Sequence, residues 1–387
     1  MKKFIVFSLV ALMSVGCMMP ATPIRTPTSP PAAPTPGSSW VMGYYVGYLA
    51  DRQPISAIDW NGLTHVALGI VLPKADGSLD FGIALDAAGR AKMVKAAHDH
   101  ARKAIAMIGG ENTGPEWLLA ASDANRAKFI SSLSALMQEG FDGLDLDWEP
   151  LLDSDQPAFL KLVQELRSAS PKAVLTFPVD GNDNSNFPAN RSFFATVAPH
   201  LDQINLMTYG MAGAYQGWKT WHSSPLYHQD SATPTSIDNS LKGYLKANVP
   251  AAKLGIGIGF YGLCYGKPAT KPLEDTVGIR ADGAKLLAGD NDMSYARIAT
   301  DYLPFGTRHW DALARAPYIS LAQPTGPKGC TYISYDDEQS ILEKGRYAKD
   351  HGLGGAIIWN INQGYIPAQT PANPLLDATR RAFLEPR

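Results

Sequence analysis

The sequence lacks an excess of charge of either sign, and it has no long apolar run beyond its N-terminus. Its 387 residues include 34 Lys and Arg against 36 Asp and Glu, a formal net charge of −2. Binding to nucleic acid draws on a basic excess that displaces counterions, so we expect no nucleic-acid partner. Because no later segment is long and apolar enough to span a bilayer, we expect membrane contact only through a lipid anchor.

The sequence also lacks the spacings that commonly bind metal ions. It contains no HExxH and no CxxC motif, so zinc chemistry is not expected. His98 and His100 stand two residues apart on a predicted helix and therefore point to different faces. We predict neither a metal site nor a cofactor.

Residues 1–17 have the pattern of an export signal. Lys2 and Lys3 precede an apolar run over 4–13, and small residues then lead to Cys17. The letters SVGC that end at Cys17 resemble the lipobox at which bacterial lipoproteins are cleaved and acylated. We predict an exported protein anchored at the outer membrane or cell surface through Cys17, with a secreted form as the alternative.

Cysteine is scarce after this signal. Residues 18–39 are rich in Pro, Thr, Ser and Ala, which predicts an extended tether to a folded domain over 40–387. That domain contains only Cys264 and Cys330. Two thiols in an oxidising compartment favour one disulfide. Closing a loop of this length would stabilise the fold by about 4 kcal/mol through chain entropy. The alternative is two buried free thiols.

From Trp40 onward, short apolar runs alternate with amphipathic helical stretches. This alternation predicts a parallel sheet covered by helices. Eight strands are predicted, over residues 41–46, 64–71, 104–108, 143–148, 173–178, 203–207, 254–260 and 355–361. Helices are predicted around residues 129–137, 158–168 and 375–384. The predicted fold is therefore an α/β protein of the (β/α)8, or TIM, barrel type.

The seventh and eighth predicted strands are unusually far apart. About seventy residues separate them, where a short loop and one helix would suffice. We predict an inserted subdomain over about 263–331, with a helix near 295–302 and a strand near 318–321. Cys264 and Cys330 lie at its two edges, so a disulfide between them would clamp the insertion at its base.

The segment FDGLDLDWEP, residues 141–150, places three carboxylates in alternation. Side chains of a strand alternate between faces, so Asp145, Asp147 and Glu149 share one face. In a barrel strand that face points inward and ends at the C-terminal rim, where active sites of this fold form. Like charges this close favour retention of a proton. We therefore predict that the three carboxylates carry out acid–base catalysis. The alternatives are a solvated strand edge and a calcium site, and calcium is less favoured because calcium-binding loops use turn-forming spacing.

The letters DGLDLDWE resemble the DGxDxDxE signature of glycoside hydrolase family 18, the chitinases and their relatives. Further segments resemble the strands of that family: GYY at 43–45, GG at 109–110, QINLMTY at 203–209, YDD at 335–337 and GGAIIW at 354–359. The insertion resembles the α+β subdomain of processive-type members. The resemblance covers residues 41–365.

The resemblance implies hydrolysis next to an N-acetylated sugar, assisted by the acetamido group of the substrate. Glu149 would protonate the glycosidic oxygen, and Asp147 would orient the acetamido N–H. Asp145 would share a proton with Asp147. Tyr209 would donate a hydrogen bond to the acetamido oxygen.

The same resemblance implies contacts with the sugar. Trp359 would form the apolar floor under the −1 sugar, and Tyr44 and Met207 would contact the substrate, although all three also suit the barrel core. Trp218 and Trp221 lie in a polar loop, where packing explains them poorly, so we expect at least one of them, Trp218 in particular, to be a sugar platform.

Three positions depart from the family pattern. Gly210 stands where aspartate is common, Glu111 where tryptophan is common, and Leu263 where arginine is common. These departures concern sugar subsites rather than the acid and its two aspartates. We predict a monomeric, endo-acting, retaining chitinase that acts on chitin or N-acetylglucosamine oligosaccharides. The alternatives are an endo-β-N-acetylglucosaminidase of N-glycan cores and a non-catalytic chitin-binding lectin.

Overall fold

The computed structural model describes residues 39–181, 192–213, 218–227, 235–274 and 286–386. The predicted signal, Cys17 and nearly all of the predicted tether lie outside the described residues. The strands in chain order are β1 Trp40–Val46, β2 His65–Pro73, β3 Leu79–Asp80, β4 Lys103–Gly110, β5 Gly143–Trp148, β6 Val174–Asp180, β7 Gln203–Met207, β8 Leu254–Gly259, β9 Leu263–Tyr265, β10 Leu286–Ala288, β11 Thr307–Asp311, β12 Ala316–Thr325, β13 Cys330–Ser334 and β14 Gly355–Trp359. The α-helices are α1 Ala87–Asp99, α2 Gly114–Ala120, α3 Arg126–Gln138, α4 Gln156–Ala169, α5 Ser192–Val197, α6 Ile237–Lys246, α7 Tyr295–Arg297, α8 Glu338–Asp350 and α9 Pro374–Thr379.

Eight parallel strands close into a barrel. Their order is β1-β2-β4-β5-β6-β7-β8-β14, and β14 pairs with β1 to complete the circle. The predicted (β/α)8 barrel is therefore confirmed: β5 and β7 have the predicted bounds, and the other six strands are present with ends shifted by one or two residues. The largest extensions are in β2, β4 and β6, each of which continues two residues further toward the C-terminal rim than its apolar run.

The helices bury apolar residues at helical spacing against the outside of the barrel. On α3, Phe129, Leu133 and Leu136 are buried, and Gly140 adopts φ +104° just after the helix. That left-handed conformation suits glycine and ends the helix where the sequence predicted. Helix α8 begins with a capping box, in which the Asp337 carboxylate accepts from the backbone N–H of Ser340.

Alternation along the strands separates two packed layers. The outward side chains of β5 end with Trp148, which stacks on Trp117 of α2 at 5.3 Å between ring centroids and packs edge-on against Phe159 of α4. The buried apolar part of the inward layer consists of Met42, Tyr44, Ala67, Ile105, Met107 and Ile357. This inward layer supports the functional cleft from below.

The segment between β8 and β14 forms a second sheet. Within its described residues this sheet has five antiparallel strands, in the order β10-β9-β13-β12-β11. Its last strand ends at Ser334, three residues beyond the edge expected from the sequence. Cys264 and Cys330 form a disulfide with their Cα atoms 5.4 Å apart, which links β9 to β13, two neighbouring strands of this sheet. None of the described helices combines the length and apolar character needed to cross a membrane.

Candidate active site

The C-terminal ends of the barrel strands open into a cleft of about 1140 Å³. Its walls combine carboxylates with aromatic rings, a combination suited to sugars, whose hydroxyls accept and donate hydrogen bonds and whose ring faces are apolar. The lining carboxylates are Glu111, Asp147, Glu149, Asp180 and Asp290. The lining aromatic side chains are Tyr44, Tyr48, Tyr209, Trp218, Tyr261 and Trp359.

Asp145 lies at the bottom of the carboxylate row and is fully buried in the barrel. The Tyr44 hydroxyl donates to its Oδ2 at 2.8 Å, and the Thr176 hydroxyl donates to its Oδ1. Burial raises the pKa of Asp145 to about 6, although both hydrogen bonds favour its charged form. This carboxyl is therefore held by hydroxyls from two other strands, β1 and β6.

Asp147 and Glu149 form a hydrogen-bonded pair above Asp145. Burial, followed by the charges of Glu149 and Asp145, raises the pKa of Asp147 well above its ordinary value. Asp147 therefore holds its proton more tightly than an exposed aspartate does. The proton that the sequence led us to expect between Asp145 and Asp147 stays a prediction, and the structure adds the two hydroxyls that donate to Asp145.

Glu149 is the outermost carboxyl of the row. Burial raises its pKa to about 7, and the negative charges of Asp180 and Glu111 act in the same direction. A carboxyl with a pKa near neutrality is protonated for a large part of the time and can still release its proton, as a general acid must. The arrangement can therefore deliver a proton to an atom lodged in the cleft.

A glycine allows the strand beside β5 to come close enough to support this row. Gly109 of β4 adopts φ +97°, and a Cβ there would lie 2.1 Å from the carbonyl oxygen of Asp147. The same carbonyl accepts a hydrogen bond from the Trp117 indole at 3.2 Å. Any side chain at Gly109 would displace the backbone that carries Asp147.

The aromatic residues expected from the sequence divide between cleft and core. Tyr209 and Trp359 line the cleft, and Trp359 lies 5.4 Å from the ring of Tyr44. Trp218 also lines the cleft, together with the half-buried Met207 of β7. Burial raises the pKa of Tyr209 well above its ordinary value, so its hydroxyl stays protonated and can donate.

Trp221 does not line the cleft. Its side chain is fully buried, and its indole donates to the carbonyl of Thr235 at 3.2 Å. Packing explains this tryptophan well, contrary to the expectation from its polar surroundings in sequence. Of the two tryptophans in this loop, only Trp218 reaches the cleft.

The three departures from the family pattern have different consequences. Gly210 adopts φ +59°, and a Cβ there would lie 2.7 Å from the Tyr261 hydroxyl oxygen, so this hydroxyl occupies the space that a side chain would need. Glu111 is exposed on the cleft wall. Leu263 is buried within the inserted sheet and does not line the cleft.

Sequence reasoning missed three polar residues of the site. Thr176 and Asp180 share one face of β6, so the alternation that identified the row on β5 could also have found them. Asp290 comes from the insertion, where no periodic pattern indicated its direction. Within the described ranges, no group of three or more His, Cys, Asp or Glu side chains is placed to hold a metal ion.

A buried carboxyl row under aromatic walls, at the rim of a (β/α)8 barrel, is a site suited to acid-catalysed cleavage of a glycosidic bond. The family model described as glycosyl hydrolases family 18 matches residues 40–364. The chain therefore belongs to glycosyl hydrolases family 18, which confirms the resemblance found in the sequence.

Two named relatives agree with this assignment, and a solved structure has the same fold. A chitinase-like effector of Moniliophthora perniciosa is 26% identical over 405 residues, covering 87% of this chain and 85% of the relative. Chitinase A1 of Niallia circulans is 29% identical over 293 residues, covering 67% of this chain and 40% of the relative. The structure of the Ostrinia furnacalis Group IV chitinase in complex with allosamidin shares the fold, with a TM-score of 0.75 at 23% identity, across 90% of this chain and 99% of that chain.

Proposed function

We propose that the protein is an endo-acting chitinase that hydrolyses β-1,4 linkages between N-acetylglucosamine residues. The observation that carries this proposal is the row of Asp145, Asp147 and Glu149 in a cleft with aromatic walls. Burial raises the pKa of Glu149, the outermost carboxyl of the row, to about 7. The names of several relatives point the same way, and the endo mode rests on the resemblance of the insertion to that of processive-type members.

The proposed first step breaks the glycosidic bond with help from the substrate. Glu149 transfers its proton to the glycosidic oxygen, and the C2 acetamido oxygen attacks the anomeric carbon as the leaving sugar departs. An oxazolinium ion results. The proton of the Asp147–Glu149 pair lies on Glu149 while the substrate is bound, so Asp147 is a carboxylate and accepts a hydrogen bond from the acetamido N–H.

The second step restores the enzyme. Glu149, now a carboxylate, accepts a proton from water, whose oxygen attacks the anomeric carbon and opens the oxazolinium ring. Two inversions at this carbon give net retention. Tyr209 donates to the acetamido oxygen, and Trp359 supports the sugar ring from below, as the resemblance implies.

This function is tested by product analysis with chitin hexasaccharide. The wild-type protein should release shorter N-acetylated oligomers, detected by mass spectrometry, with internal bonds cut first. The Glu149→Gln variant keeps the shape of the site and loses the acid, so its turnover should fall by roughly 10²–10⁴-fold while it still binds the oligomer. Equal turnover by both proteins would refute the role of Glu149.

Binding of chitin oligosaccharides without hydrolysis is the second candidate function. It is favoured by the similarity to a protein named as a chitinase-like effector, and the intact acid, Glu149, argues against it. Retention of the wild-type protein on chitin with no product from any N-acetylated oligomer would establish this alternative.

We further propose that the mature protein is anchored to a membrane by a lipid on Cys17. The support is the basic, apolar and small-residue pattern that ends at this cysteine. Mass spectrometry of the mature N-terminus should find an acylated Cys17. An unmodified N-terminus well beyond Cys17 would refute the anchor and support the secreted form.

A further inference from the structure

The inserted subdomain reaches the cleft through the turn that follows β10. The first residue of this turn, Asp290, lines the cleft, and its Oδ1 accepts two hydrogen bonds. One comes from the Trp359 indole at 3.1 Å, and the other from the Gln363 amide at 2.8 Å. A single carboxylate oxygen therefore joins the insertion to the end of β14 and to the turn after it.

Neighbouring bonds hold this carboxylate in place. The Asn291 side-chain amide donates to Asp290 Oδ2 at 3.0 Å, and Gln363 also donates to Asn291 Oδ1 at 3.2 Å. On the opposite side, the Arg52 guanidinium donates to the backbone carbonyl of Asn291 at 3.2 Å. The turn is thus fixed to the barrel both after β1 and after β14.

The backbone of Asp290 also indicates a constrained position. Its φ is +39°, in the left-handed region that residues other than glycine seldom adopt. Aspartate tolerates this region better than most residues, but the conformation still has to be maintained by its surroundings. With this backbone conformation, the Asp290 carboxylate points toward the indole N–H of Trp359 and accepts its hydrogen bond.

An indole has one N–H donor, so its acceptor determines how the ring can lie. Trp359 is half-buried in the cleft wall, and its other ring neighbour is Tyr44 at 5.4 Å and 58° between planes. A tilted contact of this kind does not fix the direction of the indole N–H. Without Asp290, the N–H would face the cleft and the ring would sample further orientations.

We propose that Asp290 is a positioning residue that fixes the indole of Trp359 and thereby raises the affinity for the sugar stacked on it. The identity of that sugar rests on the proposed function, whereas the fixing of the indole does not. By this contact the inserted subdomain helps to shape the floor of a site that otherwise consists of barrel residues.

The fixing of the indole is tested by NMR of the full-length protein with ¹⁵N-labelled tryptophan. The eight tryptophans give one indole N–H signal each, and the signal missing in Trp359→Phe identifies Trp359. Asp290→Gly removes the carboxylate and tolerates the positive φ, so folding should be preserved. We expect the Trp359 signal to move and to exchange faster with water, and an unchanged signal would overturn the proposal.

Two further variants separate positioning from a general loss of structure. Asp290→Asn keeps an oxygen acceptor and should restore most of the wild-type signal. Asp292→Asn, in the same turn, alters a carboxylate that pairs with Lys328 at 2.8 Å and does not line the cleft, so it should leave the signal unchanged. An equal shift in all three variants would mean that the whole turn moved, and would overturn the proposal.

Affinity is tested in the Glu149→Gln background, where the sugar is not consumed. Calorimetry with chitin tetrasaccharide should show about fivefold to tenfold weaker binding for Asp290→Gly and less than twofold for Asp290→Asn. In Trp359→Phe, Asp290→Gly should add little further loss, whereas additive losses would overturn the coupling. If the Glu149→Gln protein binds no N-acetylated oligomer at all, the proposed function fails, and the NMR result alone decides the positioning role.

Discussion

The alkaline limb of the pH–rate profile should follow the raised pKa of Glu149. This pKa is about 7 rather than the ordinary 4.5, a difference of roughly 3 kcal/mol between the two protonation states. At pH 6 about 90% of such a group is protonated, against about 3% of an unperturbed glutamate, so the acid form is roughly 30 times more abundant. We expect kcat/KM to fall about tenfold per pH unit above pH 7.

Removing a neighbouring charge should move this limb in a defined direction. Asp180 raises the pKa of Glu149 by repulsion, after the larger effect of burial. In Asp180→Asn the Glu149 carboxylate forms more easily, so the acid is lost at a lower pH. Because burial remains, we expect a shift of roughly half a unit to one unit downward.

The assay is kcat/KM for a soluble chitin oligosaccharide between pH 5 and pH 9. Asp99→Asn is the matched control, because this carboxylate lies on the exposed surface of α1 and pairs with Lys95. Since Asp147 and Glu149 share a hydrogen bond, the measured value belongs to the pair. A limb near pH 4.5 in the wild type, or an unmoved or upward-shifted limb in Asp180→Asn, would refute this reasoning.

Three further predictions concern buried interactions. Lys344→Met removes the ammonium group that lies 2.5 Å from the buried Asp336 carboxylate. A denaturant titration should show a free energy of unfolding lower by about 3–5 kcal/mol. An unchanged free energy of unfolding would contradict this prediction. Replacing both Cys264 and Cys330 by Ser opens a loop across 66 positions and should cost about 4 kcal/mol, seen as a lower Tm that reducing agent does not lower further. Tyr44→Phe removes the hydroxyl that donates to Asp145 at 2.8 Å. The pKa of the Asp145 carboxyl, measured by ¹³C NMR, should rise by about one unit, because the hydrogen bond stabilises its charged form. A lowered pKa would contradict this prediction.

The barrel was readable from the sequence because its elements are defined by local periodicity. On β5, Leu144, Leu146 and Trp148 alternate with the carboxylates, and the structure buries the first set under helices and turns the second set inward. The same alternation explains why both Asp145 and Asp147 lie inside the barrel. Local pattern therefore predicts which strand carries the row and which way it faces.

The hydrogen-bond partners of the row could not be read in this way. The hydroxyls of Tyr44 and Thr176 donate to Asp145, and they come from strands far away in the sequence. A local pattern on β5 contains no information about which side chains of other strands reach its carboxylates.

The sequence also did not predict that the insertion contributes a residue to the cleft. Asp290 lies in a turn without periodicity, and it reaches the cleft because the inserted sheet places that turn beside Trp359. Trp218 and Trp221 lie in the same polar stretch, yet Trp218 lines the cleft whereas Trp221 packs in the core. In both cases long-range packing determines whether the side chain reaches the cleft, and the local sequence does not.

The measurement that tests the proposed mechanism most directly is the configuration of the first product. Real-time ¹H NMR of chitin hexasaccharide hydrolysis should show the β-anomer first, with the α-anomer appearing only by mutarotation, and a fully deacetylated hexasaccharide should not be cleaved. Initial release of the α-anomer, or equal cleavage of the deacetylated oligomer, would contradict attack by the acetamido group with Glu149 as the acid.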